Sequence, residues 1–232
     1  MSTEEREPQP TEDDDLDIET IGYFETPLAE RPDPRRDPSL TAVPIGRPRG
    51  EPSVFVHADA MDQITDHVGG ETKNEVGGVL VGSFYLSRDK RVTDVRHALP
   101  APKTRAGVSH VTFSHDTWDA IFDQVTLGEG ESIVGWYHSH PGFGIFLSKQ
   151  DIFIQEYFFD NDGHIALVVD PVRHAAGCFK WYEGSVVAAD GFWVSAAADN
   201  REQAVKYGKM MRYKIAHGTR EPRGWLRRLT RR

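Results

Sequence analysis

The chain has 232 residues, a net charge of −9 at pH 7 and a single cysteine, Cys178. One cysteine excludes an intramolecular disulfide framework, and this length can bury a core that needs none. No run approaches the ~20 apolar residues of a membrane span and the acidic amino end lacks the apolar segment of a secretory signal, so a cytoplasmic protein is expected; the negative balance disfavours nonspecific nucleic-acid binding.

Residues 1–52 are acidic first, with the run Glu12-Asp13-Asp14-Asp15, and then proline-rich, with Pro32, Pro34, Pro38, Pro44, Pro48 and Pro52. Such a segment has too little apolar surface to offset its ordering entropy and is predicted to be mostly disordered. Within it, Ile21, Tyr23, Phe24 and Leu28 interrupt the polarity of residues 18–28, which reads as a linker in preference to a docking motif.

A folded domain is predicted over residues 53–195. It opens with a strand at 53–56 and a helix at 58–68, whose Met61, Ile64 and Val68 share one stripe and which Gly69 and Gly70 close. Strands follow at 76–86 and 91–99 around a turn at 87–90, then a short strand at 108–113. Ser114 is expected to cap a helix whose Trp118, Ile121, Phe122 and Val125 recur at helical spacing, a core stripe. Next come a strand at 132–140, a helix from Ser148, and strands at 164–169, 177–183 and 186–194. Helices and strands mixed in this order predict an α/β domain with a central mixed sheet flanked by helices.

Residues 196–232 are predicted to form a carboxyl-terminal helix, at 200–215, and a basic tail. Ala204, Tyr207, Met211 and Ile215 face one side of that helix. In the tail, Arg227, Arg228, Arg231 and Arg232 surround Trp225, Leu226 and Leu229. A solvated tail is the leading reading; an anionic membrane, nucleic acid or the acidic amino end are the alternatives.

The densest chemistry lies in His138-Ser139-His140-Pro141, followed by Ser148 and Asp151. Side chains two apart on a strand share a face, so His138 and His140 are expected to project together with Val134 and Trp136. Two neutral imidazoles and one carboxylate make the N and O ligand set of a zinc site that leaves its fourth position to water. Ser148-Lys149-Gln150-Asp151 has the form of a helix capping box, which puts Asp151 in a first helical turn with little freedom. A cap alone explains neither histidine.

These residues resemble the signature of the JAMM (MPN+, JAB domain) zinc metallopeptidases: His138-x-His140-Pro141, six residues, Ser148, two residues, Asp151. The upstream Glu75-Val76-Gly77-Gly78-Val79-Leu80-Val81-Gly82, the flanking Gly135-Trp136-Tyr137 and the run Val168-Val169-Asp170-Pro171 are similar to family members as well. The resemblance runs in order over residues 53–191. It implies the JAB/MPN fold, related to that of the cytidine deaminases, with one Zn2+ per chain held by His138, His140 and Asp151. It also implies Glu75 as general base and proton donor and Ser148 as an oxyanion donor. Ile145-Phe146 departs from the Cys-Trp found in several eukaryotic relatives, in a segment close to the implied substrate path.

By this resemblance the chain is a zinc isopeptidase acting after the carboxyl-terminal tail of a ubiquitin-like protein, with E1- and E2-like enzymes as pathway partners. A noncatalytic scaffold subunit of the same fold is one alternative, disfavoured by the intact residues. A peptidase acting on a sulfur-carrier adduct or another peptide is the other. The remaining eight histidines show no paired ligand spacing. Gly77-Gly78 has no phosphate-loop context and reads as a close backbone approach. Cys178 reads as a small buried residue. The Pro-Cys-x-x-Cys of base deaminases is absent.

Overall fold

The computed structural model describes residues 28–49, 53–101 and 115–215. The predicted strand at 108–113, the cap Ser114, most of the apolar stretch at 18–28 and the basic tail lie outside the described residues.

One mixed sheet organises the chain. Its strands are β1 (Leu40–Gly46), β2 (Ser53–His57), β3 (Gly77–Ser87), β4 (Lys90–Pro100), β5 (Ser132–Ser139), β6 (Ile165–Asp170), β7 (Ala175–Tyr182), β8 (Ser185–Ala188), β9 (Gly191–Ala197) and β10 (Arg212–Tyr213). Across the sheet they run β1-β9-β2-β4-β3-β5-β6-β7-β10, with β8 pairing β7 from outside that path. Helices α1 (Ala58–Gly69) and α4 (Arg201–Met210) supply Met61, Ile64, Val68, Ala204 and Tyr207 to the core on one face. Helices α2 (His115–Phe122) and α3 (Lys149–Phe158) supply Ile121 and Ile154 to a second core with Trp136, Phe159 and Val168. Each such fully buried large side chain contributes about 1.5–3 kcal/mol. This is the JAB/MPN architecture that the resemblance implies.

The amino-terminal expectation needs correction. Residues 28–49 are not a disordered extension of the acidic segment: β1 pairs antiparallel with β9 over its whole length, from Leu40↔Ala197 to Gly46↔Gly191. Ile45 is buried in the core, and the backbone of Ala29 and Arg31 bonds both polar groups of Leu86. Proline density misled because β1 is the edge strand, where Pro44 leaves no ladder position unfilled. The carboxyl-terminal boundary shifts too. Helix α4 ends at Met210, and β10 then joins β7 in parallel, so the folded unit extends past both ends of 53–195.

Two further readings change. The predicted strand at 186–194 is two strands, β8 and β9. Phe122, placed in the α2 core stripe, is 49% exposed and stacks on Trp118 instead.

Candidate active site

Strand β5 is the foundation of the site. It lies between β3 (antiparallel, Gly77↔His138) and β6 (parallel, His138↔Val168), so its carboxyl end is held on both sides. The His140 N–H extends the parallel ladder to the Val169 carbonyl at 2.9 Å. His138 and His140 face the same way, with their Nε2 atoms 3.2 Å apart. Asp151 Oδ2 lies 3.6 Å from the first and 3.8 Å from the second. Ligands bonded to zinc at ~2.0–2.1 Å in a tetrahedron sit ~3.4 Å from one another. The three donor atoms, all buried and all within 4.8 Å of one another, therefore fit one small divalent ion.

Val134 does not share their face. It packs in the core beneath α1 and α4, whereas Trp136 packs beneath α2 and α3. The cause is a bulge: Leu80 pairs Gly135 and Val81 pairs Ile133, so Val134 is the extra residue and the alternation reverses there. Gly135 permits it, since a Cβ at that position would lie 2.2 Å from the Ile165 carbonyl oxygen. Gly78 makes the close approach expected of the glycine pair, 2.0 Å from a would-be Cβ to Leu99 O.

Asp151 is seated by the predicted capping box. Its N–H donates to Ser148 Oγ at 3.2 Å, and the Ser148 N–H donates to Asp151 Oδ2 at 2.6 Å. The oxygen that faces both imidazoles is thus anchored from behind, while the Ser148 hydroxyl keeps its own proton to donate. Burial alone would raise the Asp151 pKa, but hydrogen bonds and charge from His138 and hydrogen bonds from Ser148 outweigh it and hold the carboxyl below its usual range. Burial, reinforced by His138, pulls the His140 pKa down to about 4, with Asp151 opposing. Asp151 is therefore an anion at neutral pH and His140 an uncharged ring, the states a cation requires.

The rings are held differently. His138 stacks on Trp136 with centroids 4.5 Å apart and planes 13° from parallel. The Trp136 indole N–H donates to Gln155 Oε1 at 2.9 Å, and the Gln155 amide donates to the Phe159 carbonyl at 2.9 Å. His138 Nδ1 is buried and has no hydrogen-bond partner among the described residues. His140 Nδ1 lies 3.2 Å from the Gly144 carbonyl oxygen, and the ring of Phe146 packs against it at 4.4 Å.

Glu75 approaches from the segment two residues ahead of β3. Its Oε1 is 3.8 Å from His140 Nε2, and its side chain is 18% exposed, so it faces both the cluster of His138, His140 and Asp151 and water. The backbone of the next residue fixes it: Ser139 N–H donates to the Val76 carbonyl at 2.8 Å, and Val76 N–H donates to Ser139 Oγ at 3.0 Å. All five predicted site residues are accounted for: Glu75, His138, His140 and Asp151 gather at one point, with Ser148 behind Asp151. Ser139, Gln155 and the Gly144 carbonyl were not singled out. The one sequence signal for them is that Ser139 lies between the two histidines, pointing to the opposite face. Ile145, at the position of departure from relatives, is 1% exposed and belongs to the core.

Residues 50–162 match the family described as JAB1/Mov34/MPN/PAD-1 ubiquitin protease. The ubiquitin carboxyl-terminal hydrolase RPN11 of Saccharomyces cerevisiae is 33% identical over 135 residues, covering 57% of this chain and 43% of the relative. The 26S proteasome regulatory subunit rpn11 of Schizosaccharomyces pombe is 35% identical over 127 residues, covering 53% and 40%. The chain thus spans less than half the length of these curated relatives. Among solved structures, protein DSY2949 of Desulfitobacterium hafniense is 16% identical and superposes on 70% of this chain and 94% of its own with a TM-score of 0.43. The matched residues 50–162, which carry Glu75, both histidines and Asp151, are of the JAMM/MPN+ type.

Proposed function

We propose that the chain is a zinc-dependent isopeptidase that hydrolyses the amide bond after the carboxyl-terminal tail of a ubiquitin-like protein, in deconjugation or precursor processing. The observation that carries this reading is the convergence of His138, His140 and Asp151 on one point with Glu75 beside it. The substrate class is supported by the relatives, one of which is named a ubiquitin carboxyl-terminal hydrolase. E1- and E2-like enzymes of the same modifier would be pathway partners, and the cytoplasm the compartment. No helix among the described residues is long and apolar enough to cross a membrane.

His138, His140 and Asp151 would hold one zinc ion per chain. A zinc ion supplies a Lewis acid and lowers the pKa of a water bound to it to about 7. Glu75, 18% exposed and 3.8 Å from His140 Nε2, is placed to accept a proton from an attacking water and to return it to the departing amine. The Ser148 hydroxyl donates to the carbonyl oxygen as negative charge develops there, a contribution of about 3 kcal/mol in the transition state. No side chain bonds covalently to the substrate. Buried Trp136 and half-buried Phe146 flank the ligand rings, keep bulk water off them and strengthen each of these electrostatic contacts.

The test is metal content together with cleavage of a ubiquitin-like tail. Purified protein should hold close to one zinc per chain and release a fluorophore amide-linked to a Gly-Gly terminus. His138→Ala should lose both metal and activity. Zinc without cleavage of any ubiquitin-like or sulfur-carrier adduct would favour a scaffold role instead.

A further inference from the structure

We propose that Asp170 is a positioning residue for His140, acting through the backbone of the loop at 142–144. The inference rests on the metal-site reading above for its consequence, but its structural core is independent of it.

Asp170 closes β6, which runs parallel to β5, so the carboxyl ends of the two strands lie side by side. The residue is fully buried. Its Oδ1 accepts the N–H groups of Gly142 at 2.9 Å, Val172 at 3.1 Å and Arg173 at 3.0 Å. Its Oδ2 accepts the Gly144 N–H at 3.0 Å and the Arg173 guanidinium at 2.9 Å. The two loop donors come from glycines with φ of +78° and +89°, a conformation that side-chain-bearing residues rarely adopt. A charged acceptor is needed there because two N–H groups of a left-handed loop converge on one buried point, and leaving either unpaired would cost a full desolvation penalty.

The pinned loop delivers the Gly144 carbonyl to His140. A carbonyl oxygen only accepts, so at 3.2 Å it holds the His140 proton on Nδ1. Nε2 is then left with its lone pair, aimed at Asp151 and His138. Among the described residues the other imidazole has no equivalent polar anchor: His138 Nδ1 has no hydrogen-bond partner there, and its ring plane is set by stacking on Trp136. Tautomer control in this pair therefore rests on His140 and, behind it, on Asp170. Outer partners of this kind typically alter metal affinity by 10- to 100-fold.

Three variants test the relay: Asp170→Asn, which removes one loop acceptor; Gly144→Ala, which disfavours the carbonyl-presenting backbone while its Cβ would meet no atom within 4 Å; and Arg173→Ala, which removes the guanidinium from the same carboxylate and leaves the loop bonds in place. Zinc affinity is read by competition with a chromophoric chelator, and the tautomer of His140 by 15N NMR of the metal-free, histidine-labelled chain. Asp170→Asn and Gly144→Ala should each weaken zinc by about 10- to 100-fold and move a measurable fraction of the His140 proton from Nδ1 to Nε2. Arg173→Ala should match the parent in both. Parental affinity and an unchanged tautomer in the first two variants would overturn the proposal, as would an equal loss of zinc in Arg173→Ala. If Asp170→Asn does not fold, Gly144→Ala decides alone. A parent that binds no zinc would sink the metal-site reading, while the tautomer comparison would still decide the positioning.

Discussion

Ser139 and Val76 exchange two hydrogen bonds across the β5–β3 junction, one through the Ser139 side chain and one through its backbone, and this pair is what seats Glu75 opposite His140. The carboxylate proposed as general base is thus held by a residue that lies between His138 and His140 and points away from them.

Ser139→Ala keeps the backbone bond and strands the buried Val76 N–H. Stability should fall by about 1–3 kcal/mol, read by urea unfolding. Zinc content should be unchanged, and kcat should fall because Glu75 loses its fixed approach. A variant with parental kcat would show that the backbone bond alone seats the glutamate.

Glu75→Gln should retain zinc and lose hydrolysis by roughly 10²- to 10⁴-fold, the usual contribution of a positioned general base. The measurement is kcat on a ubiquitin-like tail substrate beside metal analysis of the same sample. Cleavage at the parental rate would remove Glu75 from the mechanism.

Gln155→Leu removes the acceptor of the Trp136 indole N–H in a fully buried setting. A cost of about 1–3 kcal/mol is expected in thermal or urea unfolding, with weaker zinc binding, because the ring that stacks on His138 loses its anchor.

His164 carries a pH dependence separate from the site. Burial lowers its pKa to about 4, against bonds that favour the charged ring, such as the one to the Ile133 carbonyl. Its Nδ1 accepts the Asn161 N–H at 3.2 Å, a bond that protonation would abolish. The unfolded chain, with an ordinary histidine pKa, binds this proton first. Stability is therefore complete above about pH 6.5 and declines as the pH falls toward 4, by up to about 3 kcal/mol at ~1.4 kcal/mol per unit. Melting temperatures from pH 7.5 to 4.5 should show a slope that His164→Gln flattens.

Truncation separates the two parts of the amino-terminal region. Removing residues 1–27 should leave the unfolding transition in place. Removing residues 1–49 strips β1 from β9, opens a long sheet edge and uncovers the core around Ile45, so loss of several kcal/mol or aggregation is expected. Calorimetry of both truncations distinguishes this from an extension that contributes nothing.

What could be read directly from the residues was whatever depends on short-range order. Period-two alternation put His138 and His140 on one face, and a three-residue spacing put Ser148 and Asp151 in one capping box, because strand and helix geometry act over a few residues. The α/β class followed from the same periodicities. The resemblance added Glu75, which no local pattern links to a histidine more than sixty positions away.

Only the assembled sheet could decide the rest. Proline spacing hid β1, since its stability comes from pairing with β9, some 150 residues later. The bulge at Val134 arises from how β5 registers against β3, and alternation within β5 carries no trace of it. Gln155 and Asp170 act because Trp136 and the 142–144 loop are brought to them by packing and by the parallel β5–β6 pair. Hydrogen-bond partners distant in sequence are set by strand register and helix docking, and these are properties of the whole fold.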